Sequence, residues 1–504
     1  MLSKLRRPEY VFLLIAIPFY LILFIILPPV AGFDENTHAV RIEQLSEFNL
    51  FSDFIGYADA NNQTDDQKFY GGSINANYWK FIDDWFNSTH LKLERYRLEN
   101  VPELYDQSFA TPEVVNVVFS NTAVFSPLVY FPYIIGFIVG RLCTNSCFAI
   151  YKMQVLVCIL FYIILSFQTI KTIPYGKWAV LALTLNHNIF VNRMFLTADT
   201  MTFSVILYYT AQVLYIAHKS QKETTSTRDW LILIVLSVFL SAIKPTYLPI
   251  VMVPILIQII GTSKHRLAWS VSSVVICLSI FAVWFVVAVK PVNTGVMWGV
   301  ETHPVDQVKY IIAHPAQFIK MSIDLLDFDL VMQVPGVSPI VAYRSTMPDS
   351  YPYLLDSYII CHAILFISIL IFNKNDYEAF NNRSSYLITS ILMFLVAFFS
   401  LVLIYAALYI SFTPVGAATI DGINPRYYEP VAYYLLISIC SLLCYVIRLI
   451  RDHGLFDGIK DREHKTLSYA AKYCSTVLKA TLVILLVAQL VLLCIFVYYS
   501  CYVG

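Results

Sequence analysis

Eleven apolar blocks, most of them near the roughly 20 residues that cross a bilayer, constrain this chain more than any other feature. They lie at about 10–30, 149–169, 178–191, 200–217, 230–242, 246–260, 268–289, 356–372, 386–410, 427–449 and 473–499. Of 504 residues, 58% are hydrophobic and only 13% charged, roughly half the ~25% of a typical soluble domain. That leaves too little polar surface to cover a soluble globule, which excludes a soluble cytosolic enzyme. A disordered chain is excluded as well. Lys+Arg and Asp+Glu balance at 34 each, which argues against a nucleic-acid partner. The fold class is all-α: a polytopic transmembrane helix bundle of about 11 spans, seated in a lipid bilayer.

The basic residues set the orientation. Lys4, Arg6 and Arg7 precede the first block, whose apolar core is too long for a signal peptide, so it is a retained span with its start inside. The region 122–140 is apolar but broken by Pro127 and Pro132. If it crossed, Lys171, Lys177, Lys219, Lys222, Arg228, Lys264, Arg266 and the 448–465 basic run would all lie outside. A segment that lies at the outer surface or re-enters puts every one of them inside, and this is the reading adopted. Two large outer loops result, 31–148 and 290–355, and the C-terminus lies outside. Both loops mix short apolar pieces with polar and aromatic residues, as amphipathic helices at a membrane surface do; Tyr78–Phe86 and Gln307–Phe318 are examples. Tyr57, Tyr70, Tyr78, Trp79, Trp85 and Trp298 in these loops read as an interfacial aromatic belt. Most cysteines sit in apolar blocks as small hydrophobes, while Cys143 and Cys147 can pair if they face an oxidising compartment.

The charges beside the outer membrane surface carry the chemistry. Asp34 and Glu35 follow the first span directly, where partial dehydration makes a carboxylate a better base. His38 lies one turn on, so Asp34, Glu35 and His38 can share a divalent metal or a simple local contact. Arg193, Lys244 and Arg426 stand in short outer loops, where positive charge is disfavoured and a partner is expected. Asp199 opens another span, where a carboxylate can also serve as a cap. One of these cations can snorkel to the interface unaided. Three cations with three carboxylates on one side of the membrane suit phosphate-linked chemistry better. The cations neutralise a lipid-linked phosphate leaving group while an acid deprotonates an acceptor hydroxyl.

An acid just past span 1 and large outer loops after spans 1 and 7 resemble the GT-C glycosyltransferase superfamily. Several stretches more closely resemble a bacterial polytopic membrane-protein family catalogued as a domain of unknown function and found with cell-surface polysaccharide genes. They are Pro28-Pro29 through Asp34-Glu35 and His38, Ser126 to Pro132 with Gly140-Arg141, Asp199, Lys244-Pro245, the segment 307–318 around His314-Pro315, and Gly422 through Arg426-Tyr427. Asn424-Pro425 stands where that family usually has Gln-Gly. The resemblance implies a GT-C-like catalytic membrane module over 1–355 and further transmembrane helices over 356–504. It implies inverting transfer of a sugar from a polyprenyl-phosphate donor to a glycan acceptor, on the extracytoplasmic face of a bacterial cell membrane. Asp34 would be the base, with Glu35 a supporting acid or the base itself. Lys244 and Arg426 would bind the lipid phosphate with Arg193, and Tyr427 and Asp199 would position them. Some members of the superfamily use a divalent metal and others none. The rival reading is a transporter or flippase of lipid-linked saccharide, which would be expected to show internal repeats and mid-membrane charges; neither is found. An inactive scaffold is a third reading that the motifs leave open.

Overall fold

The computed structural model describes residues 7–57, 68–91, 107–222, 224–290, 292, 296–297, 300–325, 351–453 and 461–502. Trp298 and residues 326–350 of the expected second outer loop lie outside the described residues. Among those described, seven helices are long and apolar enough to cross a membrane. They are Pro8–Ile26, Cys147–Thr172, Asp199–Lys219, Arg266–Val289, Arg383–Ser411, Arg426–Asp452 and Tyr473–Tyr498. The protein is a polytopic helical membrane protein, as its blocks predict.

The other four blocks are helical but short or broken. The block at 178–191 divides into Lys177–Thr184 and His187–Asn192, because the Asn186 side chain accepts the Asn188 N–H and starts a new helix. The block at 230–242 is the helix Thr227–Leu240. At 246–260 a 3-10 run, Pro245–Met252, precedes the α-helix Ile255–Ile260, since Pro245, Pro249 and Pro254 each lack an N–H for the ladder. The block at 356–372 belongs to Tyr351–Leu370.

The least apolar of the seven spans is also the most buried. Asp199–Lys219 has the lowest mean hydropathy of the seven, 1.3, and is 89% buried over its apolar window. It retains Thr202, Thr210 and Gln212 because protein, not lipid, surrounds it. Arg266–Val289, with mean hydropathy 2.6 and 17% buried, stands at the rim.

The proline-broken segment forms the helix Pro127–Cys143, capped by the Ser126 side chain. It lies antiparallel to the first half of Cys147–Thr172: Phe131 meets Phe161, Gly136 meets Gln154 and Gly140 meets Ile150. The helix begins at Pro127, one turn beyond Phe131, and its 17 residues are too few to match the 26 of Cys147–Thr172. Its close approach requires Gly136, where an added Cβ would stand 2.5 Å from the Gln154 Cα. Gly136→Val is expected to cost at least about 1–3 kcal/mol. A melting curve in detergent checks this, and an unchanged midpoint would refute the contact.

A layer built from residues 35–126 covers this end of the bundle. It holds the helices Glu35–Ser46 and Ala76–Phe86 and an antiparallel sheet in the order β1 (Asp53–Tyr57), β2 (Lys68–Asn75), β3 (Val114–Val118). Tyr78, Phe81 and Trp85 are its core, so Tyr78 and Trp85 are buried packing residues and no part of an interfacial belt. The sheet is an addition to the expected helices. Cys143 and Cys147 are both free thiols.

The opposite end of the bundle is basic and tied together by loop contacts. Arg448 donates to the Asn381 carbonyl at 3.0 Å, Arg451 pairs with Glu378 at 2.6 Å, and Gln221 donates to the Ile260 carbonyl at 2.9 Å. Lys219, Lys222, Lys264, Arg266 and Arg383 belong to the same end.

Candidate functional site

The turn joining Pro8–Ile26 to Glu35–Ser46 carries the first acids, and it is strained. Val30 and Asp34 both have left-handed backbones, with φ of 50° and 57°. Asp tolerates this region; a β-branched valine rarely does. The turn is held because Val30 donates its N–H to the Tyr151 hydroxyl (3.0 Å) and its carbonyl accepts from Thr89 (3.0 Å). Gly32 is required by space, since a Cβ there would meet Phe195 at 2.6 Å.

Glu35 clamps this turn from beneath. Its carboxylate is fully buried and accepts from the Tyr151 hydroxyl (2.5 Å), the Leu196 N–H (2.8 Å) and the Gly32 N–H (2.7 Å). Burial pushes its pKa up to about 7, against the pull of these three donors. All three partners are donors, so Glu35→Gln must aim an amide N–H at another donor. The expected cost is about 1–3 kcal/mol, read as a lower melting midpoint than wild type; equal midpoints would deny the clamp.

Asp34 turns the other way, toward a cavity of about 880 Å³. There Arg426 donates to the Asp34 carboxylate (2.5 Å) and to the Phe33 carbonyl (3.1 Å), with its Nε 3.5 Å from Asp199. The other Asp199 oxygen pairs with the Lys244 ammonium at 2.6 Å. Lys244 also sits over the Tyr427 ring, 4.7 Å from its centroid, and Arg426 flanks the same ring at 5.4 Å. Asp34, Arg426, Asp199 and Lys244 thus alternate in sign along one chain of contacts with no net charge.

Each member is positioned locally. Lys244 precedes the Pro245 3-10 run, whose Tyr247 hydroxyl donates to the Tyr427 carbonyl at 2.8 Å. Arg426 lies on the short turn Pro425–Tyr428, which begins where the Asn424 side chain accepts the Arg426 N–H. Asp199 is the first residue of the central helix, but its carboxylate serves the ion pairs and makes no cap; Ala198 is the N-cap residue.

His38 lines the cavity, with Nδ1 2.6 Å from the Tyr130 hydroxyl and the Phe125 ring stacked 5.9 Å away. Burial holds its pKa down near 3, so the imidazole is neutral. With Glu35 turned under the turn, Asp34, Glu35 and His38 do not come together as a metal site. Among the described residues no group of three His, Cys, Asp or Glu could hold a metal ion.

Arg193 does not reach the cavity. It is fully buried, paired with Glu429, and donates to the carbonyls of Ile189 (3.0 Å) and Asp199 (3.1 Å). Asn192 donates to the second Glu429 oxygen at 2.9 Å. Arg193 thereby fixes the start of the Asp199 helix against the start of the helix that follows Arg426. Glu429, an acid at the mouth of a span two residues beyond Tyr427, went unnoticed in the sequence; its place offers the signal that marked Asp34 and Asp199.

The remaining lining is mixed. Ser120, Asn121, Thr122, Asp421 and Asn424 contribute polar residues, and Ile404, Ala407, Leu408 and Phe412 are among the apolar ones. Sequence reading missed Ser120, Asn121 and Thr122, which lie in the stretch ahead of Pro127. Thr122 donates to the Thr37 carbonyl (3.0 Å) and Asn121 to the Thr37 hydroxyl (3.1 Å), tying that stretch to Asp34's own helix.

A family model described as a predicted membrane protein, DUF2142, matches residues 18–435. That span takes in every group around the cavity. No curated protein and no solved structure matches the chain.

Proposed function

We propose, for a chain that belongs to the DUF2142 family of predicted membrane proteins, that it is an inverting glycosyltransferase drawing sugar from a polyprenyl-phosphate donor. The observation that supports this reading is the cavity's mixed lining. The paired cations Arg426 and Lys244 share it with apolar residues of the helix Arg383–Ser411, Ile404, Ala407 and Leu408. An amphiphile with a phosphate head and a hydrocarbon tail suits both kinds of lining.

The ion pairs give the chemistry an order. In the resting site Arg426 and Asp34 neutralise each other. A donor phosphodiester entering the cavity takes Arg426 and Lys244 as partners and releases the Asp34 carboxylate. An acceptor hydroxyl then attacks the anomeric carbon from the face opposite the phosphate. The new C–O bond forms as the bond from carbon to the phosphate oxygen breaks. That electron pair leaves with the phosphate, whose added charge the two cations stabilise, and Asp34 takes the hydroxyl proton. One base and one leaving group suffice, without the nucleophilic carboxylate of a retaining enzyme. In this reading His38, Asn121 and Asn424, which line the cavity, are the candidates to hydrogen-bond sugar hydroxyls.

The basic end of the bundle supports a reading of the side. Positive charge stays in the cytoplasm, so the cavity at the other end opens to the exterior, which for this reading is the outer face of a bacterial cell membrane carrying a glycan acceptor.

Binding of unglycosylated polyprenyl phosphate tests the phosphate site without needing the sugar. Lys244→Ala is expected to weaken it at least about tenfold, as loss of one charge-assisted contact does, while the uncharged polyprenol binds both forms alike and weakly. Equal affinity of wild type and Lys244→Ala for the phosphate would sink the assignment.

A further inference from the structure

A second cavity, of about 600 Å³, opens at the basic end of the bundle, on the opposite side from Asp34. Its described walls come from 220–222, 224–225 and 262–265, and from the first turns of the helices Thr227–Leu240 and Arg266–Trp284. Lys222, Lys264 and His265 line it beside the hydroxyls of Ser220, Thr224, Thr225, Thr227, Thr262 and Ser263. No acid is among its described lining residues; Glu223 lies outside the described residues. The nearby Asp229 is occupied, pairing with Lys219 (3.0 Å) and accepting the Ser226 N–H (2.8 Å). The Lys222 ammonium donates to the Glu378 carbonyl, at 3.2 Å, and pairs with no carboxylate among the described residues.

The loops are fastened to each other before any ligand arrives. Thr262 donates to the Ser220 carbonyl, Thr225 and Ser263 share a hydrogen bond (3.1 Å), and Arg266 donates to the Gly261 carbonyl (2.6 Å). One wall is a pair of stacked indoles, Trp230 and Trp269, with centroids 6.0 Å apart and planes 11° from parallel. Trp230 is fixed by its own N–H bond to Thr225 at 3.1 Å.

From each of these helices an exposed apolar row leads away from the basic end. Leu231 and Val235 form one, and Leu267, Val271 and Val275 the other, each spaced by four residues. Cations and hydroxyls at the head, indoles at the level of an interface, and hydrocarbon rows leading away match one class of molecule in order.

We propose that this cavity is a binding site for an anionic phospholipid, with its phosphate among Lys222, Lys264 and the loop hydroxyls and its acyl chains along the two apolar rows. The site is independent of the transferase reading and lies at the other end of the protein.

The test uses the full-length protein, stripped of lipid in detergent, with binding of short-chain phosphatidylglycerol and phosphatidylcholine read by native mass spectrometry. Wild type is expected to prefer phosphatidylglycerol. Lys222→Ala/Lys264→Ala is expected to bind it about 25-fold more weakly, fivefold for each lysine, with phosphatidylcholine unchanged. Equal affinity in both proteins overturns the proposal. So does full competition by glycerol phosphate at the lipid's own concentration, which would mark a site for soluble phosphate esters. Should the double variant fail to purify, Lys264→Gln alone must show about the fivefold loss, and an unchanged affinity there overturns the proposal equally.

Discussion

Asp34→Asn is expected to reduce sugar transfer by about 10²- to 10⁴-fold, the range lost with a general base, while the protein folds and still binds the lipid donor. The substitution is chosen because it leaves most of the site in place. Asn tolerates the left-handed backbone at this position as Asp does, and its side-chain oxygen can still accept from Arg426. Only the proton acceptor is removed. Asp34→Ala would mix that loss with backbone strain and an unpaired Arg426. Purified Asp34→Asn assayed beside wild type, with donor binding measured on the same samples, separates chemistry from folding. Equal turnover in the two proteins would place the base elsewhere.

The second large effect is on stability. Arg193 and Glu429 are both fully buried and paired. Arg193→Met leaves the Glu429 carboxylate with Asn192 as its remaining partner, and breaking a buried pair in this way costs about 3–5 kcal/mol. The change also frees the Asp199 carbonyl, which Arg193 holds at 3.1 Å. The melting midpoint should fall sharply. Arg193→Met/Glu429→Gln should regain part of the loss, because no lone charge is then left in the bundle. A single variant as stable as wild type, or a double variant worse than the single, would contradict this account of the pair.

Much of the fold was legible because the bilayer imposes it. Apolar length marks a span, and the low hydropathy of Asp199–Lys219 follows from its central place. The basic loops told the two ends of the bundle apart. The 122–140 region, read as lying at the outer surface or re-entering, is the 17-residue helix Pro127–Cys143 packed beside the longer Cys147–Thr172. What the sequence hid depends on side-chain direction and on contacts between distant positions. Asp34 and Glu35 are adjacent and chemically alike, yet the turn aims one into the cavity and the other at three donors below it. Arg193 and Lys244 read alike as outer-loop cations, but Glu429, 236 positions away, claims Arg193. The sheet was hidden because β2, with its Gly71-Gly72 pair, carries a weak strand pattern.

The Asn424-Pro425 pair builds the turn that carries Arg426. The Asn424 side chain supplies the acceptor that starts the turn carrying Arg426, and Pro425 needs no N–H at that position. Arg426 consequently reaches Asp34, 392 residues earlier in the chain.

The central claim is that this cavity moves a sugar from a lipid phosphate to an acceptor. Transfer from a panel of radiolabelled polyprenyl-phosphate sugars by wild-type protein in proteoliposomes, with cell-surface glycan as acceptor, tests it most directly. The account predicts labelled glycan with inverted anomeric configuration from at least one donor. Tight donor binding with no transfer from any of them, and movement of the intact lipid-linked sugar between leaflets instead, would contradict it and make the protein a transporter.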